Sequence, residues 1–161
     1  MLFNPGQQEG PDAPRANLVL PAGPRRGAIW MGGAHTARGE PLDTESVRDA
    51  IVIDCAGDLS PAIRTAAWRF YSCVFLDVEE RPTAWDRIVG LAATVDRELT
   101  AEPGPARAII LCTHGMNRSG LVAGLLLRRA GLRAEEALSL IRTARPGALS
   151  NQAFVRLLAE A

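Results

Sequence analysis

The 161-residue sequence contains no lysine: all 18 basic residues are arginine. That excludes a Walker-type phosphate lysine, Schiff-base chemistry and any other lysine catalyst. Histidine is nearly missing too. His35 and His114 are too few for a His-rich metal site. The three cysteines, Cys55, Cys73 and Cys112, form no Cys-x-x-Cys pair. Three is an odd number and no secretory leader is read, so the expectation is free thiols in a reducing, cytoplasmic setting rather than a disulfide scaffold. Excess charge of either sign is lacking as well, with 18 acidic residues against 18 basic ones and pI near 6.7. There is thus no global electrostatic reason to bind DNA or an anionic membrane. The longest apolar run, Leu121 to Leu127, is too short to span a bilayer. No internal repeat is visible.

What remains is 47% apolar and 22% charged residues, the composition of one folded domain of this size. Residues 1–27 carry Pro5, Pro11, Pro14, Pro21 and Pro24 and read as a flexible Pro/Gly-rich arm, with residues 28–161 as the domain proper. Short apolar, β-branched runs predict strands at Ala28–Met31, Ala50–Asp54, Cys73–Val78 and Ala108–Leu111. The last is apolar on both faces and therefore central. Ser60-Pro61 predicts a helix start that carries Ile63, Ala66, Ala67 and Phe70. Thr83 predicts the cap of a helix ending before Pro103, and further helices follow over 119–130 and 134–144, with a last one capped by Asn151. Alternating strands and helices predict a single α/β domain, a small and largely parallel central sheet flanked by helices.

The chemistry concentrates in residues 108–120, AIILCTHGMNRSG. Cys112 ends a core strand, and a loop leads from it to a helix opening at Arg118. In open α/β sheets ligands bind at that edge. The helix N-terminus supplies unpaired N–H groups and about half a positive charge, both of which favour a thiolate. The N–H groups of Thr113, His114, Gly115, Met116 and Asn117 can turn inward as a nest for phosphate oxygens. Arg118 adds a planar fork matching two more. A thiolate at the floor of an anion cradle is a nucleophile aimed at phosphorus.

Cys112, Gly115, Arg118 and Ser119 resemble, residue for residue, the Cys-x5-Arg-Ser/Thr signature of cysteine-dependent phosphatases. Over residues 28–161 the chain resembles their dual-specificity branch. Ala28 to Gly33 is similar to its opening strand and glycine turn, and Arg145-Pro146 with Asn151 to Phe154 to its C-terminal end. The run Cys112 to Arg118 is also similar to the RNA 5′-triphosphatase domains of capping enzymes. The resemblance implies a phosphatase that attacks a phosphate monoester on Tyr, Ser or Thr and passes through a cysteinyl-phosphate. Cys112 would be the nucleophile, Arg118 the phosphate clamp and Ser119 the donor to the departing thiolate. No metal and no other cofactor is implied.

Two departures from the family stand out. Leu111 occupies the place where the family usually has a histidine that supports the thiolate. The general acid is also displaced: aligning strand and proline puts Glu80 where the family has aspartate. Glu79 and Asp77 are the fallbacks, Asp86 falls on the following helix, and the lack of any acid stays open. His114 either touches the substrate at the pocket wall or contributes only its N–H. Cys55, at the end of the neighbouring strand, resembles a cysteine that in some lipid-phosphatase relatives forms a protective disulfide with the nucleophile. The expected substrates are a phosphorylated protein or, alternatively, a nucleotide or RNA 5′ end. A module that binds phosphate without turnover is a further alternative. Rhodanese-like sulfur transfer fits the Arg118-Ser119 ending less well.

Overall fold

The computed structural model describes residues 2–3, 16–34 and 42–161. His35 and residues 4–15 of the N-terminal arm lie outside them. Among the described residues six strands form one mixed sheet: β1 (Leu2–Phe3), β2 (Ala16–Leu20), β3 (Ala28–Gly33), β4 (Ala50–Asp54), β5 (Arg69–Ser72) and β6 (Arg107–Cys112). Their spatial order is β1-β2-β3-β6-β4-β5. β2 runs antiparallel to β3, and every other neighbouring pair is parallel. The helices are α1 (Pro61–Ala66), α2 (Trp85–Leu99), α3 (Arg118–Arg129), α4 (Ala134–Ala144) and α5 (Gln152–Glu160). This is the expected α/β domain.

Burial follows strand alternation. On β6, Ala108, Ile110 and Cys112 face the larger core, into which α2 to α5 pack with Ile88, Val95, Leu121, Leu126, Ile141 and Phe154. Ile109 and Leu111 face the smaller core with Trp30, Val47, Val52 and Ile63. Both faces of β4 and β6 are covered, which is why AIVID and AIIL show no polar alternation. α3 is buried over Ser119 to Leu127, which explains a helix apolar nearly all round.

Three expectations are corrected. Ala16–Leu20 lies inside the stretch expected to be an irregular arm, yet it pairs with β3 and buries Ala16, Asn17 and Val19. A run as short as Leu18-Val19-Leu20 gives little periodic signal, and the exposed edge of β3 supplies the ordering. Secondly, the strand expected at Cys73–Val78 is β5 at Arg69–Ser72, and Phe70 belongs to it rather than to α1. The helix from Ser60 ends at Ala66 after one and a half turns, because Val52 and Ile53 pair with Phe70 and Tyr71. Residues 73–78 continue onward outside the ladder. Thirdly, α2 starts after Ala84 with no side-chain cap, not at Thr83. The caps at Ser60 and Asn151 form as expected, accepting from the N–H groups of Ile63 and Phe154.

β2 covers the edge of β3, so shortening the chain to begin at residue 28 should expose that edge and remove the buried Val19. Unfolding in urea should show a loss of about 3 kcal/mol and concentration-dependent aggregation. An unchanged midpoint would mean that β2 contributes nothing to the domain.

Candidate active site

β6 delivers Cys112 to the sheet edge between β3 and β4, in register with Gly33. The Ala34 N–H donates to the Cys112 carbonyl at 2.9 Å, and the Cys55 N–H to that of Leu111 at 2.8 Å. The chain then turns through residues 113–117 and enters α3 at Arg118. The turn closes because Gly115 sits at φ +71° directly on β3. A Cβ there would lie 2.2 Å from the Gly32 carbonyl carbon and 2.3 Å from the Gly33 nitrogen. Only glycine meets both demands.

The buried Cys112 Sγ is 3.2 Å from the Gly115 nitrogen, whose N–H points at it, and 3.3 Å from Ser119 Oγ. Both groups can donate to a thiolate, and the field of the α3 N-terminus acts in the same sense. Arg118 reaches back across the loop, its Nη2 donating to Thr113 Oγ1 at 3.2 Å. From outside, Arg145 grips the loop. Its Nε donates to the Gly115 carbonyl at 2.7 Å, Nη2 to the His114 carbonyl at 3.2 Å and Nη1 to Asn17 Oδ1 at 2.8 Å. With carbonyls held outward, the loop can present N–H groups inward. Leu149, a non-glycine residue at φ +57°, is held close by: its N–H donates to Met116 and its carbonyl accepts from Arg142.

A cavity of about 250 Å³ opens above the sulfur, lined by Cys112, His114, Met116, Asn117, Arg118, Gly147, Ser150 and Asp77. Thr113 and His114 are exposed at its rim. The acidic lining residue is Asp77, not Glu80. Asp77 Oδ2 accepts from Asn117 Nδ2 at 3.0 Å and Oδ1 from Asn151 Nδ2 at 2.9 Å. Glu80 is exposed and outside this lining, its N–H donating to the Val78 carbonyl. Glu79 faces the start of α5, where the Ala153 N–H approaches Oε2 at 3.4 Å. Asp86 is in the first turn of α2. Of the carboxylates weighed from the sequence, Asp77 is the one that lines this cavity, held toward the loop by the amides of Asn117 and Asn151.

Leu111 points into the smaller core on the far side of the sheet from the sulfur. Cys55 is buried beside Cys73 and Cys112, and all three are free thiols. Burial pushes the Cys55 thiol well up from its ordinary value, and the neighbouring Cys73 and Cys112 add to that. Arg145, Asn151 as more than a helix cap, and Ser150 carry site roles the sequence reading missed. They lie about thirty residues beyond the loop, and no spacing ties them to it. Among the described residues no helix is long and apolar enough to cross a membrane.

No family model and no curated protein sequence matches this chain. Solved structures do. Tk-PTP in its active form is 23% identical, covering 91% of this chain and 97% of its own, with a TM-score of 0.65. Human DUSP28 is 20% identical, covering 94% and 97%, with a TM-score of 0.65. A human tyrosine phosphatase-like serine/threonine/tyrosine-interacting protein is 17% identical, covering 88% and 91%, with a TM-score of 0.62. The chain therefore has the fold of the tyrosine and dual-specificity phosphatases, as its sequence resemblance implied.

Gly115→Ala tests the loop closure. A Cβ would strike backbone, so the loop must lift from Gly32 and Gly33. Phosphate or vanadate affinity should fall at least about 100-fold, with the domain still folded by circular dichroism. Unchanged oxyanion binding would show that the loop closes without this contact.

Proposed function

We propose that this protein is a phosphatase that hydrolyses a phosphate monoester through a cysteinyl-phosphate intermediate. The observation that carries the reading is the buried Cys112 sulfur, ringed by the Gly115 N–H, Ser119 and the α3 N-terminus at the floor of a cavity that Arg118 lines. In the first step the Cys112 thiolate attacks phosphorus in line, the S–P bond forms and the P–O bond to the leaving group breaks. Arg118 and the loop N–H groups hold the equatorial oxygens as charge shifts, which supplies the neutralisation without a metal. In the second step water attacks phosphorus and the S–P bond breaks. The Ser119 hydroxyl then donates to the returning thiolate.

Asp77 is the better candidate for the acid that protonates the leaving oxygen and later takes a proton from water. Both its oxygens accept from side-chain amides, which fix the carboxyl's orientation and restrict its swing toward a leaving oxygen. Leaving groups that need little protonation, such as the phenol of phosphotyrosine, are favoured over the alkoxides of Ser and Thr. A monoester also fits better than an RNA 5′-triphosphate, because Arg118 is the one arginine among the described residues that line the cavity. A triphosphate brings further phosphates that ordinarily meet cations of their own. The amide-held Asp77 also favours a second reading, a phosphate-binding module with little turnover.

Turnover of an aryl phosphate decides between the two readings. Cys112→Ser should abolish it while keeping oxyanion affinity, and Arg118→Lys should lose both, because lysine lacks the planar fork. A Cys112→Ser variant with more than a few per cent of wild-type rate would refute the mechanism. For the acid, rate is measured against leaving-group pKa. Asp77→Asn should slow high-pKa substrates by roughly 100-fold and leave low-pKa ones nearly unchanged, whereas Glu80→Gln should match wild type. The reverse pattern would return the role to Glu80.

Cys55 completes the proposal as a reserve partner. Peroxide oxidises Cys112 to a sulfenic acid, and the Cys55 thiol condenses with it, releasing water and forming a disulfide. Peptide mapping after mild oxidation should find that link. Over-oxidised Cys112 beside a free Cys55 would rule it out.

A further inference from the structure

Beyond β5 the chain runs from Cys73 to Val78 along the rim of the sheet and ends at the cavity. Cys73 and Phe75 turn inward and are buried, their N–H groups donating to the carbonyls of Asp54 and Cys55. Asp77 turns the same way, toward Asn117 and Asn151. Alternate residues of an extended chain share a face, and the other face holds Val74, Leu76 and Val78. They are 44%, 72% and 38% exposed, and Leu76 is the most exposed large hydrophobic side chain among the described residues. Among those residues the N–H groups of Val74 and Leu76 have no hydrogen-bond acceptor. The segment is therefore an apolar ridge with free main-chain donors, continuous with the candidate active site.

Resting on the phosphatase reading, we propose that this ridge receives an extended, apolar stretch of a phosphorylated protein substrate, whose phosphorylated residue reaches past Asp77 to Cys112. Three features select that occupant. Leu76 and Val78 flank Asp77, which lines the cavity, so a chain on the ridge is already at the site. A strand rises about 3.3 Å per residue, so residues within three positions of the phosphorylated one cover Val74 to Val78. The ridge side chains are apolar and offer nothing to the phosphates of a nucleic acid or a lipid headgroup, and the Arg87 guanidinium beside them already donates to the Val74 carbonyl at 3.0 Å. The ridge's unpaired N–H groups suit a peptide main chain laid beside a strand edge, and its apolar side chains suit alternate apolar residues of that peptide. Patches of this kind on otherwise polar surfaces mark interaction sites.

The test uses the full chain and two peptides bearing a non-hydrolysable difluorophosphonate analogue of phosphotyrosine. One has Leu and Val on both sides of the analogue, and the other has Ser there. Affinities come from fluorescence anisotropy, with aryl phosphate turnover and light scattering measured alongside. Wild type should bind the apolar peptide about tenfold or more tightly than the polar one. Leu76→Ser, and separately Val74→Ser, should reduce that ratio to near one; both side chains are exposed, so the core stays intact. Equal affinities for the two peptides in wild type, or a ratio that survives both substitutions, would overturn the proposal. So would a wild-type dimer that Leu76→Ser converts to monomer with no peptide preference, which would assign the ridge to a second copy. Failure to turn over the aryl phosphate would count against the phosphatase reading alone, because the peptide comparison rests on binding and is decided without catalysis.

Discussion

The site depends on one contact, the seating of Gly115 on the Gly32–Gly33 backbone. It fixes where the loop leaves Cys112 and where it must enter α3, and so determines that the Gly115 N–H points at the sulfur. Arg145 then fastens the loop from the outside by taking the His114 and Gly115 carbonyls, leaving the N–H side free for an anion. Its third bond, to Asn17, ties the arrangement to β2. A strand far from Cys112 in sequence is thus part of what holds the loop in place. Preorganisation of this kind lets a cavity stabilise developing charge without reorganising during the reaction.

A second constraint joins the loop to the segment carrying Asp77. Asn117 donates to one oxygen of Asp77 and Asn151 to the other, and the Asn151 N–H donates to Asn117 Oδ1. Asn151 also caps α5, accepting from the Phe154 N–H. The α5 start, the loop after Cys112 and the Asp77 segment are therefore tied to one another. The same bonds that place the carboxylate also restrain it.

The sheet explains the departure at Leu111. β6 alternates, so the residue before Cys112 must face the core opposite to the sulfur, and among Trp30, Val52 and Ile109 a leucine packs well. The groups that meet the Cys112 sulfur are then the Gly115 N–H, Ser119 and the α3 N-terminus. Ser119 is wholly buried with Cys112, and its hydroxyl faces sulfur rather than water.

The sequence alone determined the α/β class, the central place of the AIIL strand, the caps at Ser60 and Asn151, and the loop from Cys112 to Ser119. Each rests on residues close together in the chain, where hydrophobic period, capping chemistry and motif spacing act directly. Tertiary structure decided the rest. Ala16–Leu20 became a strand because β3 offered an edge, and β5 formed at 69–72 because β4 set its register. Asp77 rather than Glu80 lines the cavity because two amides, about 40 and 74 residues further along, meet its carboxylate. Arg145 acquired its role in the same way, from the approach of a distant helix end. Local patterns encode what one segment prefers to be, whereas which polar groups meet across the fold is set by packing, which no spacing along the chain records.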